Sequence, residues 1–453
     1  MKRSYSAQHY LTFEWSEGYV TDLPPEAWSK HAGDVLETIG MVEPGTYRLL
    51  PGRLWEVDLR EAAARADNVG NRKRICRVSF DKVPEQFWPD INSGKHKAVH
   101  KLSAIGTDLP IHITDFWNPA ESIDPIFSTR KVAHQLMYIT EGEKPGIGAN
   151  VVIVDQGLNQ DYIRHLGGDF MGGWHLVGAP QPGNYDLGHG SMLARNILKV
   201  APEAKIYDLP VVPDNINDSE KFLSTVHAAF NQVLKTIDHL EKNGEEQARR
   251  PWVFVNAWAT YNTGGEQPSG DYTTGVDHKF NRLITDMAKR FDLVFAAGNC
   301  GQFCPSRRCG ANDVGPGNSI LGANSHPDVL TVGAVRADGI WLGYSSQGPG
   351  ALSEKKPDLC AASQFCEDDD AAAVNTGTSA ACAIAAGVVA ALRSRCRTKD
   401  VTPAELKEIL VKTTTATPTS GAWDNQIGHG IINAAAALEG VRSLVATGDR
   451  CGL

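Results

Sequence analysis

From about residue 148 the chain settles into a repeating order that few folds accommodate. "ANVVIVDQG" is a short β-branched run that stops at Asp155 and a glycine. "HGSMLARNILKVAP" then has helical spacing, and "AKIYDLPVV" is a second apolar run. Between 218 and 244 the apolar residues Phe222, Val226, Phe230, Val233, Ile237 and Leu240 fall on one helical face. "WVFVNAW", "DLVFAAGN" and "DVLTVGAV" continue the series as strands, with a helix over 276–291 between the first two. Continuous apolar strands alternating with amphipathic helices can bury themselves in one way. They form a mostly parallel sheet covered by helices on both faces, an α/β fold. Helices at 378–396 and 403–413 complete this part, the second opened by a Thr-Pro pair.

The first 125 residues lack that alternation. They hold five of the ten tryptophans, Trp15, Trp28, Trp55, Trp88 and Trp117, and one clear helical pattern, "WEVDLREAAARAD". "GTDLPIHITDFWNPAESIDP" (106–125) has the proline and polar content of a junction. We therefore read residues 1–125 as a smaller N-terminal α+β module, 126–442 as the main domain and 443–453 as a tail. A chain of 453 residues is longer than one core usually serves, which agrees with two units.

Charge and composition exclude some partners. The net charge is −9 and no basic block occurs, so nucleic acid is not expected. No apolar run approaches the roughly 20 residues of a membrane span. "MKRSYSAQHYLTFEWSEGYV" has no apolar segment after its basic residues, so it does not read as a secretory signal, and a cytoplasmic location is the expectation. The nine cysteines include one tight cluster, Cys300, Cys304 and Cys309, whose spacing matches no strong zinc pattern. Without a signal segment the default is reduced thiols, with a disulfide or a metal site as the alternatives.

In open α/β sheets ligands bind at the carboxyl ends of the strands. Four reactive side chains sit at element ends: Asp155 after the first strand, Asn299 after "VFAAG", His189 and Ser379 at helix starts. Each has an ordinary alternative. Asp155 could form a turn, His189 could be a surface or capping residue, Asn299 could adopt a positive φ, and Ser379 could be an N-cap. Together they match the needs of acyl transfer. A serine hydroxyl needs a base, and an imidazole can take and return its proton. A carboxylate orients the imidazole, and a carboxamide can donate to a developing oxyanion.

Four blocks in this order resemble those of the subtilisin-like serine proteases, the subtilase family. They are "VVIVDQG", "GHGSMLARNILKVAPEAKIYDLPV", "VFAAGN" and "NTGTSAACAIAAG". "DVLTVGAV" with "GYSSQGP", "KPDLCAA" and "GHGIINAAAAL" add lesser matches, and the similarity spans about 125–440. The resemblance implies a serine endopeptidase acting on protein or peptide substrates through an acyl-enzyme. It makes Ser379 the nucleophile, His189 the general base and then acid, and Asp155 the residue that orients it. Asn299 and the Ser379 N–H form the oxyanion hole. It also implies that substrate pairs with main chain near Trp258, Ala259 and Thr260 and near Ala297 and Gly298.

Some positions depart from the family pattern. Gln156 stands where Ser or Thr is usual, and Ser191 replaces Thr. After Ser379 the family's Met, Ala, Pro and His correspond to Ala380, Ala381, Ala383 and Ile384. Trp258 and Thr260 are expected to narrow the cleft and the specificity. The mechanism requires no cofactor or metal ligand. Calcium as a structural ion is the family's habit, and "CEDDD" (366–370) and "GGDF" (167–170) are the acidic stretches available. The N-terminal module reads as a permanent accessory or partner-protein recognition module in preference to a removable propeptide. Two further readings remain: a peptide ligase or macrocyclase, with 259–275 as a lid, and a non-catalytic scaffold that kept the fold.

Overall fold

The computed structural model describes residues 102–109, 111–113, 128–140, 148–176, 180–212, 223–370, 372–415 and 422–447, with strand backbone at 9–15, 47–49 and 74–80. The helix expected over 55–67 lies outside these residues. Near the N-terminus, β1 (His9–Trp15), β2 (Tyr47–Leu49), β3 (Arg74–Phe80) and β4 (Leu102–Thr107) form an antiparallel sheet in the order β2-β3-β1-β4. The short β5 (His112–Ile113) follows, and then α1 (Arg130–Leu136).

The main sheet has seven strands, all parallel, in the order β13-β12-β11-β9-β6-β8-β7. Its first half contains β6 (Asn150–Asp155), α2 (Gln160–His165), β7 (Asp169–Gly173), α3 (His189–Val200), β8 (Lys205–Pro210) and α4 (Leu223–Lys242). Then come β9 (Trp252–Asn256), the two-residue β10 (Trp258–Ala259), α5 (Lys279–Ala288), β11 (Asp292–Ala296) and β12 (Leu330–Val335). The last part holds β13 (Leu359–Ala362), β14 (Phe365–Cys366), β15 (Val374–Asn375), α6 (Gly377–Arg393), α7 (Pro403–Lys412) and α8 (Ala434–Thr447). Because α8 runs to Thr447, the tail expected from residue 443 begins inside a helix.

The strands are apolar throughout because both faces are covered. Successive residues alternate between two cores. Val151, Ile153, Val253, Val255, Val294 and Ala296 pack with residues of α3, α6 and α8. Val152, Val154, Trp252, Phe254, Leu293 and Phe295 pack with α4 and α5. Two strands of this sheet were not foreseen. β7 is an edge strand that starts from "GGDF", and β13 arises from "LCAA".

The chain order reverses at β6, which lies between β8 and β9. That switch point is where a crevice opens in such sheets. Helix α6 crosses behind it, buried over nearly its whole length. Its alanines and Gly387 allow close packing: a Cβ on Gly387 would lie 2.8 Å from Cβ of Val200 on α3. Ala380, Ala381, Ala383 and Ile384 are all fully buried in this uninterrupted helix. The family's proline and histidine positions are therefore ordinary core positions here.

Candidate active site

The carboxyl end of β6 delivers Asp155 to the switch point, fully buried. His189 is the first residue of α3, and its Nδ1 lies 2.9 Å from Oδ1 and 2.8 Å from Oδ2 of Asp155. A carboxylate spanning Nδ1 fixes the imidazole plane and makes Nδ1 the protonated nitrogen. The approach of α3 depends on Gly190, where a Cβ would meet the Gly157 carbonyl oxygen at 2.3 Å. Asp208 of β8 supports the same corner. Its Oδ2 accepts from the N–H of Leu158 (3.0 Å), just past Asp155, and of Gly183 (2.9 Å), on the way to His189. Burial pushes the Asp208 carboxyl up to about 7, although both N–H groups favour its ionised form. Sequence reasoning missed Asp208; an acid inside the otherwise apolar run "KIYDLP" was the available signal.

Ser379 is not an N-cap. Thr376 takes that place, Gly377 turns the chain at φ 73°, and Ser379 is the third helical residue. Only glycine adopts that left-handed turn readily. Ser379 is 0% exposed, and its Oγ donates to the Ala257 carbonyl, just past β9, at 3.4 Å. Asn299, three residues past β11, is also fully buried. Its Oδ1 accepts from the Thr378 N–H (3.0 Å) and the Thr378 hydroxyl (2.9 Å), and that hydroxyl accepts from the Gly298 N–H (3.2 Å). These bonds fix which end of the carboxamide is the acceptor, so its NH2 end is the donor. Thr378 was not singled out in the sequence, although it directly precedes Ser379.

The expected substrate-binding positions lie together but differ in detail. The Trp258 indole does not narrow a cleft. It is fully buried in the core against Phe280 and Phe295, and its Nε1 donates to Asn256 Oδ1 at 3.2 Å. An indole can be buried at low cost when its N–H is satisfied, and the core supplies that acceptor. The backbone of Trp258 and Ala259 lies at an edge, where β10 pairs antiparallel with β5 in the register Trp258↔Ile113 and Ala259↔His112. Thr260 and Ala297 are buried. In the second stretch the Ala297 N–H donates to Val332 O at 2.9 Å, and the Gly298 carbonyl accepts from the Ser346 N–H at 2.9 Å.

The chain leading into β5 is docked against the main domain. The Asp108 carboxylate accepts from the Ser224 N–H (3.1 Å) and hydroxyl (2.8 Å) at the start of α4, and the Leu109 carbonyl accepts from the Leu223 N–H (3.0 Å). The Thr107 N–H donates to Asp271 Oδ2 at 2.7 Å. Nor is 259–275 a loose lid. The Glu266 carboxylate accepts from the N–H groups of Gly270 (2.8 Å), Tyr272 (2.7 Å) and Thr273 (2.7 Å).

The cysteine cluster is not reduced. Cys300 and Cys309 form a disulfide, and Cys304 is exposed and free. The loop folds back because the Ser306 N–H donates to Asn299 O (2.9 Å) and the Gly310 N–H to Tyr261 O (2.7 Å). The two Cα atoms are thereby 5.9 Å apart, within disulfide reach. In the two acidic stretches four carboxylates have partners within the protein. Asp169 pairs with the Lys205 ammonium, and Glu367 is held by Arg130 and Arg195. Asp368 accepts from the Lys131 N–H, and Asp370 from the Ala372 N–H.

The sequence model of the subtilase family matches residues 146–430, well over half the chain. Subtilisin-like protease 2 of Arthroderma otae is 27% identical over 257 residues, covering 56% of this chain and 51% of that protein. Subtilisin-like protease 2 of Trichophyton verrucosum is 26% identical, covering 56% and 52%. The chain thus spans about half the length of these curated relatives. Among solved structures, fervidolysin from Fervidobacterium pennivorans, a keratinolytic enzyme related to subtilisin, superposes with a TM-score of 0.51. It is 14% identical and covers 95% of this chain and 61% of its own, so it speaks for the fold alone. With the four blocks, the parallel sheet and the family match in agreement, this chain belongs to the subtilase family.

Proposed function

We propose that the chain is a serine endopeptidase in which Ser379 attacks the peptide carbonyl, His189 takes its proton and Asp155 orients and charge-stabilises the imidazole. The observation that carries this reading is the carboxylate of Asp155 on His189 Nδ1 at 2.8–2.9 Å. That bond leaves Nε2 as the base, the role such a pair serves in acyl transfer. The Asn299 NH2 and the Ser379 N–H, in the first turn of α6, would receive the developing oxyanion. Its negative charge is favoured there by the helix dipole. His189 then returns the proton to the leaving amine, and water repeats the sequence on the acyl-enzyme. Incubation with a fluorophosphonate tests this. Wild-type protein should acquire one covalent adduct on Ser379, and Ser379→Ala none. Wild-type protein that is neither labelled nor self-cleaved would favour the scaffold reading.

A second reading concerns the N-terminal module, and the β5–β10 pairing favours it. Substrate strands of this family are implied to pair at Trp258 and Ala259, and there the chain's own residues 112–113 are paired. We infer that segment 106–113 occupies the substrate edge, so the chain in this form is self-inhibited. This is the propeptide-like alternative to the accessory-module expectation. Wild-type protein incubated at high concentration should gain a new N-terminus beyond residue 113, and Ser379→Ala should stay intact. A wild-type chain that is labelled at Ser379 yet keeps its full N-terminus would return the module to an accessory role.

A further inference from the structure

A second buried polar assembly joins α1, α3 and the β14–β15 hairpin. Its centre is Glu367, two residues past Phe365 of β14. Arg130, 1% exposed on α1, meets it with two hydrogen bonds, Nε to Oε2 at 2.7 Å and Nη2 to Oε1 at 2.6 Å. Arg195 of α3 adds an ion pair to Oε1 at 2.9 Å. The Asn375 Nδ2 of β15 donates to the same oxygen at 2.9 Å. Asn375 Oδ1 in turn accepts from Arg195 Nη2 and from Asn196 Nδ2, each at 3.0 Å. Asn196 Oδ1 closes the circuit by accepting from Arg130 Nη2 at 2.8 Å.

The circuit links three elements that carry or abut the reacting groups. Arg195 and Asn196 lie on the helix that begins with His189. Asn375 ends the short strand that precedes Gly377 and Ser379. Arg130 comes from α1, 237 positions before Glu367 in sequence. Burial alone would push the Glu367 carboxyl up, but the bonds and charges of Arg130, Asn375 and Arg195 hold it at about 2. The centre is therefore a carboxylate between two guanidinium groups, with Arg130 in a two-bond fork and Arg195 in a single ion pair.

We infer that Arg130, Glu367 and Asn375 are positioning residues that set the spacing between the His189 helix and the Ser379 turn from outside the triad. The inference rests on the reading of Ser379 as nucleophile and His189 as base. A serine and its base must meet within a few tenths of an ångström, and a misplacement of about 1 Å costs on the order of a hundredfold in rate. Asn375 is the joint, because it is bonded to α3 on one side and to Glu367 on the other.

The decisive variant is Asn375→Ala, which breaks the joint and leaves Glu367 paired with both arginines. In the full chain, its rate of fluorophosphonate labelling at Ser379 should fall by roughly tenfold or more. On a peptide substrate kcat should fall by the same factor while KM stays within about twofold, the mark of lost positioning and not of lost binding. Glu367→Gln should fall further, and Arg130→Lys should retain more activity than Arg130→Met. If Glu367→Gln fails to fold, Asn375→Ala decides alone. Wild-type labelling rates in Asn375→Ala would overturn the inference. A wild-type chain that is neither labelled nor self-cleaved would instead overturn the reading of Ser379, so the two failures are distinguishable.

Discussion

Helix α6 starts and stops among buried polar groups, and the two ends are built differently. At the C-terminal end, Arg393 meets the Asp292 carboxylate with Nε to Oδ2 at 2.6 Å and Nη2 to Oδ1 at 2.8 Å. Its Nη1 donates to the Val401 carbonyl. Opposite charges are matched, the geometry is bidentate, and a cation sits where the helix dipole favours one. At the N-terminal end the groups nearest Ser379 are held by hydrogen bonds. Hydrogen bonds there orient groups without consuming them: Asp155 orients His189, and Thr378 orients Asn299. A saturated ion pair holds a helix in place. A set of oriented donors and acceptors at the positive end of the same helix can respond to new charge on a substrate.

Substitutions at the two ends should separate activity from stability. His189→Ala should lower kcat by about 10⁴-fold or more while leaving the urea midpoint close to wild type. A wild-type rate in that variant would show that both ends are structural. Arg393→Met should do the reverse. It leaves Asp292 buried without its partner and should cost about 3–5 kcal/mol in urea unfolding, with kcat of the folded protein little changed. If kcat fell with stability, the two ends would be coupled through the helix. Asn299→Leu should lower kcat by about 10²–10³-fold with a near-constant KM, the range for one oxyanion donor. A loss in KM alone would place Asn299 in binding.

The smallest effect concerns pH. Three imidazoles outside the site are held neutral: burial lowers His278 to about 3 and His134 and His326 to about 4. His278 illustrates the geometry, since its Nδ1 accepts from the Phe280 N–H at 3.3 Å and its Nε2 faces the Thr107 carbonyl at 3.3 Å. Because the folded values lie below about 6.5, the unfolded chain takes up protons first. Stability should therefore decline as pH falls below about 6.5 and level off below about 3. Thermal midpoints measured from pH 7 to pH 4 should fall, and a flat profile would mean that these rings accept a proton in place.

Legibility in the sequence followed the range of the interactions. β6, β9, β11 and β12 were readable because a strand buried on both faces is apolar at every position. The edge strand β7 was not, because alternate residues face solvent and glycines replace β-branched residues. The placement of Asp155, His189, Asn299 and Ser379 near element ends was legible because each lies within a recognisable block. Their supports were not. Asp208 looked like an anomaly inside a strand, and Arg130 and Glu367 stand 237 positions apart. Trp258 was read as the end of the strand at 252–258, whereas it opens the separate β10 with its indole in the core. The Cys300–Cys309 bond required knowing how the loop returns to Tyr261.

By itself the sequence determined the α/β layering, the order of the four blocks and the family, because periodicity and short motifs are local properties. Tertiary structure alone decided that Thr376 and not Ser379 caps α6, and that Asn299 is oriented by Thr378. It also decided that residues 112–113 pair with the edge at Trp258 and Ala259. Those outcomes depend on which distant groups meet when both faces of the sheet are buried, and nothing local in the chain records that meeting.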